Sequence, residues 1–149
     1  MTKKPAKWRS NMKIIPSVGV LIIKDDKVLL VREEEGSKHL TGVYGVPAGR
    51  FEEGESAKEA AARELKEETG LTCSVEDLVE MPNKYTATIE RKDGTFKTFR
   101  KTLFLCKKYS EQIRSGEDTT PSWIEIKKMG KLNLLPNVEK MVHDGQKSI

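Results

Sequence analysis

The stretch that most restricts how this chain can fold is Gly49 to Leu71, GRFEEGESAKEAAARELKEETGL. Its Gly-Glu-Ser segment places capping oxygens and acidic charge ahead of alanines and charged helix formers, with no Gly or Pro inside the run. The pattern predicts a helix that starts near Glu55 or Ser56 and runs for about four turns. Gly70 should stop it, because glycine suits the left-handed position after a last turn.

Glu64, Glu67 and Glu68 fall at i, i+3 and i+4, so their carboxylates share one patch of that helix. Ala57, Ala60 and Ala61 lie in the same patch with Leu65, Ala62 and Thr69 beside it, while Glu59 and Lys66 face the other way. The acids therefore border the buried side. Two readings fit. In one the helix is a solvated, salt-bridged face with Glu59–Arg63 and Arg63–Glu67 as its pairs. In the other the acids hold a hard cation such as Mg²⁺, which takes carboxylate, phosphate and water oxygens. Only the second accounts for the Glu64–Glu68 repulsion, a cost of about 0.2–0.5 kcal/mol if exposed and more if desolvated.

The spacing carries a family resemblance. Gly49, Glu55, Arg63-Glu64-Leu65, Glu67-Glu68 and Gly70-Leu71 occupy every fixed position of the Nudix box, and the chain resembles a Nudix hydrolase. That resemblance implies an α/β fold, an α/β/α sandwich with a mixed central sheet. It implies cleavage by water of a nucleoside diphosphate linked to another moiety, with Mg²⁺ or Mn²⁺. Nucleoside triphosphates, ADP-ribose, nucleotide sugars and dinucleoside polyphosphates all belong to that class. By the same resemblance Glu64, Glu67, Glu68 and the Gly49 carbonyl are metal ligands. Arg63 orients the acids, and Glu55 sits in the outer metal shell. Glu117 or Asp118 on a distant loop, or Glu68 itself, is the general base.

Substrate contacts are expected at Arg32, just after an apolar strand, and at Tyr44, ahead of Pro47-Ala48-Gly49. Tyr85, Phe96 and Phe99 are aromatics that either stack on a base or pack in the core.

Around the box the pattern reads as strands. Val18 to Ile23 alternate, Lys24 to Lys27 turn the chain, and Val28 to Val31 form a continuous apolar run suited to burial on both faces. Glu33 to Gly42 reads as a polar loop. Cys73 to Val79 is expected as a strand broken by Met81-Pro82-Asn83. A hairpin from Tyr85 to Cys106 should turn at Asp93-Gly94. Trp123 to Ile126 reads as a last strand and Asn133 to Gln146 as a closing helix, with Leu134, Leu135, Val138, Met141 and Val142 as its stripe.

Length, at 149 residues, suits one domain over 14–149 behind a basic arm, 1–13, that is either frayed or in contact with nucleic acid. A net charge of +4 and a pI of about 9.0 suit an anionic substrate and equally serve solubility. No apolar run is long enough to span a bilayer, and the start lacks a signal-peptide core, so a soluble cytoplasmic chain, monomer or homodimer, is expected. Cys73, Cys106, His39 and His143 lack metal-ligand spacing and read as packed or exposed residues. Two other functions compete with nucleotide hydrolysis. A non-catalytic nucleotide-binding module would be expected to have lost box carboxylates. An RNA-end hydrolase would lean on the basic arm.

Overall fold

The computed structural model describes residues 13–110 and 112–149, so the basic arm, Lys13 apart, lies outside the described residues. Strand β1 (Ile14–Leu21) is the centre of a mixed four-stranded sheet. It runs parallel to β7 (Phe96–Cys106) on one side and antiparallel to β5 (Ala48–Arg50) on the other, with β6 (Leu78–Glu90) antiparallel beyond β7. A second, antiparallel sheet is built on β3 (Lys27–Glu33), which pairs with β2 (Ile23–Lys24), β4 (Tyr44–Gly45) and β8 (Thr119–Glu125).

Strand alternation divides the core between the two faces. Val18, Val20, Ile22, Leu29 and Phe104 pack with Ala60, Ala61 and Leu65 of helix α1 (Ala57–Thr69). Leu21, Val28, Leu30, Leu103 and Leu105 pack with Val138, Met141 and Val142 of helix α2 (Val138–Lys147). Each sheet is thus apolar on both sides, which is why β3 reads as an unbroken hydrophobic run. The result is helices on both faces of mixed and antiparallel sheet, as the resemblance implies.

Three expected elements differ. The segment before Leu78 is a 3₁₀ turn, Val75–Asp77, rather than strand. Met81-Pro82-Asn83 does not end β6; the register shifts between Glu80 and Lys84, and Pro82 is tolerated at that irregularity. Helix α2 begins only at Val138, because Asn137 takes a left-handed φ of 73° after Pro136. Leu134 and Leu135 are instead laid along β4, where Tyr44 N–H donates to the Asn133 carbonyl and Leu135 N–H to the Tyr44 carbonyl.

Candidate active site

Helix α1 is fixed at both ends. Ser56 and Glu59 form a reciprocal capping box, and Gly70 adopts a left-handed φ of 83° with its N–H on the Lys66 carbonyl. Just past that end the loop ahead of β8 is clasped against the helix: Arg114 N–H donates to the Thr69 carbonyl and the Thr119 hydroxyl to the Glu68 carbonyl. This clasp brings Glu117 and Asp118 to the rim of a cleft of about 700 Å³ that runs from α1 between the two sheets. No helix among the described residues is long and apolar enough to cross a membrane.

Arg63 organises the acidic end of the cleft. Its Nε and Nη2 donate to Glu55 at 2.6 and 2.9 Å, and its Nη1 donates to Glu64 at 2.9 Å and Glu67 at 3.0 Å. Its Nη2 also reaches the Arg50 carbonyl at 3.0 Å, tying the helix to β5. The Glu55 contact, the largest cause, holds the guanidinium above its ordinary range, and Arg63 holds Glu55 below the usual carboxylate range. Glu64 is displaced the other way, because burial outweighs the pull of Arg63. Burial raises Glu68 further, against a single 2.8 Å hydrogen bond from Ala48 N–H. Glu67 is half-exposed, and Glu117 is exposed at the rim.

These donors suit a hard dication: carboxylate oxygens and a strand carbonyl, with no thiol or imidazole among them. Gly49 sharpens the fit. A Cβ built there would overlap the Glu64 carboxylate, so the missing side chain is the space that Glu64 occupies. As placed, Arg63 holds Glu64 and Glu67, and among the described residues no three acidic, His or Cys side chains are gathered tightly enough to cage an ion. Glu64 and Glu68 both carry raised pKa values, a tension that a nearby positive ion relieves.

The expected substrate contacts Arg32 and Tyr44 do not line this cleft, and neither does Tyr85, read as either a stacking or a core residue. Arg32 points outward and pairs with Glu34 at 2.8 Å; alternation along β3 turns its neighbour Glu33 inward instead. Tyr44 packs against the core beneath α2. Tyr85 is buried there too, and its hydroxyl donates to Asp144 of α2 at 2.6 Å. Tyr85→Phe is therefore expected to cost about 1–2 kcal/mol in denaturant unfolding and to leave kcat/KM unchanged. A fall in kcat/KM at intact stability would return the phenol to the cleft.

The cleft also holds groups that sequence reasoning passed over. Lys101 on β7 reaches under it, with its pKa lowered to about 8 by burial against the attraction of Glu68 and Glu33. Glu33 is buried, accepts a hydrogen bond from the Ser37 hydroxyl and is raised by burial. Ser17 and Arg91 complete that wall with His39, read from the sequence as packed or exposed, and Phe99, read as stacking on a base or packing in the core. One signal pointed to Lys101: it alternates in step with Leu103 and Leu105, so a cation stands in an inward row.

The NUDIX domain family matches residues 13–144 of the chain. It is 44% identical over 68 residues to a NAD-capped RNA hydrolase NudC of Pseudomonas entomophila, covering 46% of this chain and 24% of that protein. It is 36% identical over 80 residues to the 8-oxo-dGDP phosphatase NUDT18 of Homo sapiens, covering 54% of this chain and 24% of that protein. The aligned parts span about a quarter of the length of those two relatives. The fold matches that of a MutT protein from Methanosarcina mazei Go1 with a TM-score of 0.75 at 23% identity, over 93% of this chain and 96% of that one. With the family match running from the first described residue almost to the end of α2, the chain belongs to the NUDIX domain family.

Proposed function

We propose that this chain hydrolyses the pyrophosphate linkage of a nucleoside diphosphate joined to another moiety, with Mg²⁺ or Mn²⁺ held by Glu64, Glu67, Glu68 and the Gly49 carbonyl. The observation that carries this reading is the placement of Glu64. Its carboxylate fills the space over Gly49 while Arg63 grips it together with Glu67. A solvated helix face has no need of that arrangement. The names of the two relatives both specify a nucleotide substrate, which agrees with it.

When bound, the dication neutralises diphosphate charge and acidifies a water. The chain's own residues supply position and proton transfer. Arg63 locks Glu64 and Glu67 in one orientation and couples them to β5 through the Arg50 carbonyl. The Ala48 N–H occupies one oxygen of Glu68. Glu68, partly buried and lining the cleft, is the proposed proton acceptor. Glu117, exposed at the rim of the same cleft, is the other candidate for the base.

The reading is tested on the purified full chain with nucleoside triphosphates, ADP-ribose, sugar nucleotides, dinucleoside polyphosphates and capped RNA, in Mg²⁺, in Mn²⁺ and in chelator. At least one of them should be cleaved with release of phosphate-containing products, and chelator should stop the release. Saturable nucleotide binding with no cleavage in either ion would make the chain a binding module instead.

A further inference from the structure

Beside Lys101 and Glu33, the cleft wall carries two arginines, Arg50 and Arg91, that make no ion pair among the described residues. Arg91, at the end of β6, is buried to 7% exposure. Its Nε donates to the Lys38 carbonyl at 3.3 Å, while its Nη1 is buried without a hydrogen-bond partner. Arg50 follows Gly49 on β5, and the guanidinium carbons of Arg50 and Arg91 each lie 5.7 Å from the centre of the Phe99 ring. Among the described residues neither arginine makes an ion pair within 4 Å, whereas Arg32 and Arg63 both do. Burial first, and then the charge of Arg50, push Arg91 below its ordinary range; Asp93 and Glu33 oppose this more weakly.

Glu33 and Asp93 act on Arg91 from a distance, and among the described residues neither forms an ion pair with it within 4 Å. His39 is lowered to about 4 by burial and by the charges of Arg91 and Lys101, so its imidazole is neutral at pH 7. Three of the four buried, unpartnered side-chain polar atoms among the described residues, on Ser17, His39 and Arg91, belong to residues that line this cleft. A fold gains nothing by holding a buried cation beside a second, exposed one, and the cost falls when an anion settles between them. Guanidinium forks match phosphate oxygens in particular. Phe99 is engaged by both guanidiniums, so its ring orients cations.

We propose that Arg50 and Arg91 form a subsite for a phosphate lying beyond the scissile linkage, and that the chain prefers substrates with three or more linked phosphates to those whose second moiety is a neutral sugar. The subsite begins one residue along β5 from Gly49, next to the acidic cluster. This inference rests on the hydrolase reading for its substrate class, but the anion subsite itself can be tested without turnover.

Inorganic tripolyphosphate and pyrophosphate are titrated by calorimetry into the metal-free full chain and into Arg50→Gln and Arg91→Gln. Tripolyphosphate should bind the parent at least about tenfold more tightly than pyrophosphate, and each variant should lose that preference, as expected for one charge-assisted contact. In turnover, KM for a nucleoside triphosphate should rise about tenfold in each variant with kcat within about twofold, and KM for ADP-ribose should not move. Equal binding of the two anions by the parent overturns the subsite, as does a preference that survives in Arg50→Gln. Arg50 is exposed, so that variant stays informative if Arg91→Gln fails to fold. A parent that shows the preference yet cleaves no nucleotide sinks the hydrolase reading alone. One that cleaves ADP-ribose without discriminating the anions sinks the subsite alone.

Discussion

Glu67→Gln should lower kcat on any cleaved nucleotide by at least about a hundredfold in saturating Mg²⁺, the scale of loss when a fixed charge stabiliser is removed from a reaction site. Stability should barely respond. The Glu67 side chain is 51% exposed, and its contact with Arg63 at 3.0 Å is one of several that the guanidinium makes. An exposed pair of this kind contributes about 0–1 kcal/mol. The amide keeps the size of the side chain and removes its charge, so the helix and its caps stay as they are. Separation of the two readouts is the informative part: thermal unfolding near the parent's, turnover collapsed, and Mn²⁺ affinity weakened in a binding titration. A variant that hydrolyses at the parent's rate would leave Glu67 as an ordinary surface acid, and the patch would revert to a salt-bridged helix face.

Helix α1 was legible from sequence because its signals are local and agree. The capping box, the run of helix formers and the left-handed glycine lie within one short stretch, and each is satisfied where it stands. The acidic half of the cleft followed, since one helix carries all three carboxylates and Arg63. Of the cationic half only Lys101 left a local trace, its alternation with Leu103 and Leu105; the rest has no local pattern behind it. Ser17 and Lys101 meet through the parallel register of β1 and β7, and His39 and Arg91 meet through an isolated bridge between a loop and the end of β6. Arg32 shows how small the error can be. It and Glu33 are neighbours in sequence, yet the pleat sends Glu33 into the cleft and Arg32 into solvent. Which of its two readings Tyr85 takes was not decided locally, because its partner, Asp144, lies on α2, far along the chain.

Gly49→Ala tests the placement of Glu64 most directly. Gly49 does not have a positive φ, so alanine brings no backbone strain there. What it brings is a Cβ in the space of the Glu64 carboxylate. That carboxylate is the far end of a flexible side chain, so the clash is relieved by swinging it away, at little cost to folding. Stability should therefore stay within about 0.5 kcal/mol of the parent's. Turnover should fall by about a hundredfold, the penalty for misplacing a positioned group by an ångström or so. Substitution of Glu64 supplies the decisive control. If alanine acts by displacing Glu64, then adding Gly49→Ala to Glu64→Gln should cost little more than Glu64→Gln alone, since the group it would displace has already lost its charge. Two losses that multiply in full would show that Gly49 acts independently of Glu64, and the close approach of that carboxylate to β5 would then have no part in the chemistry.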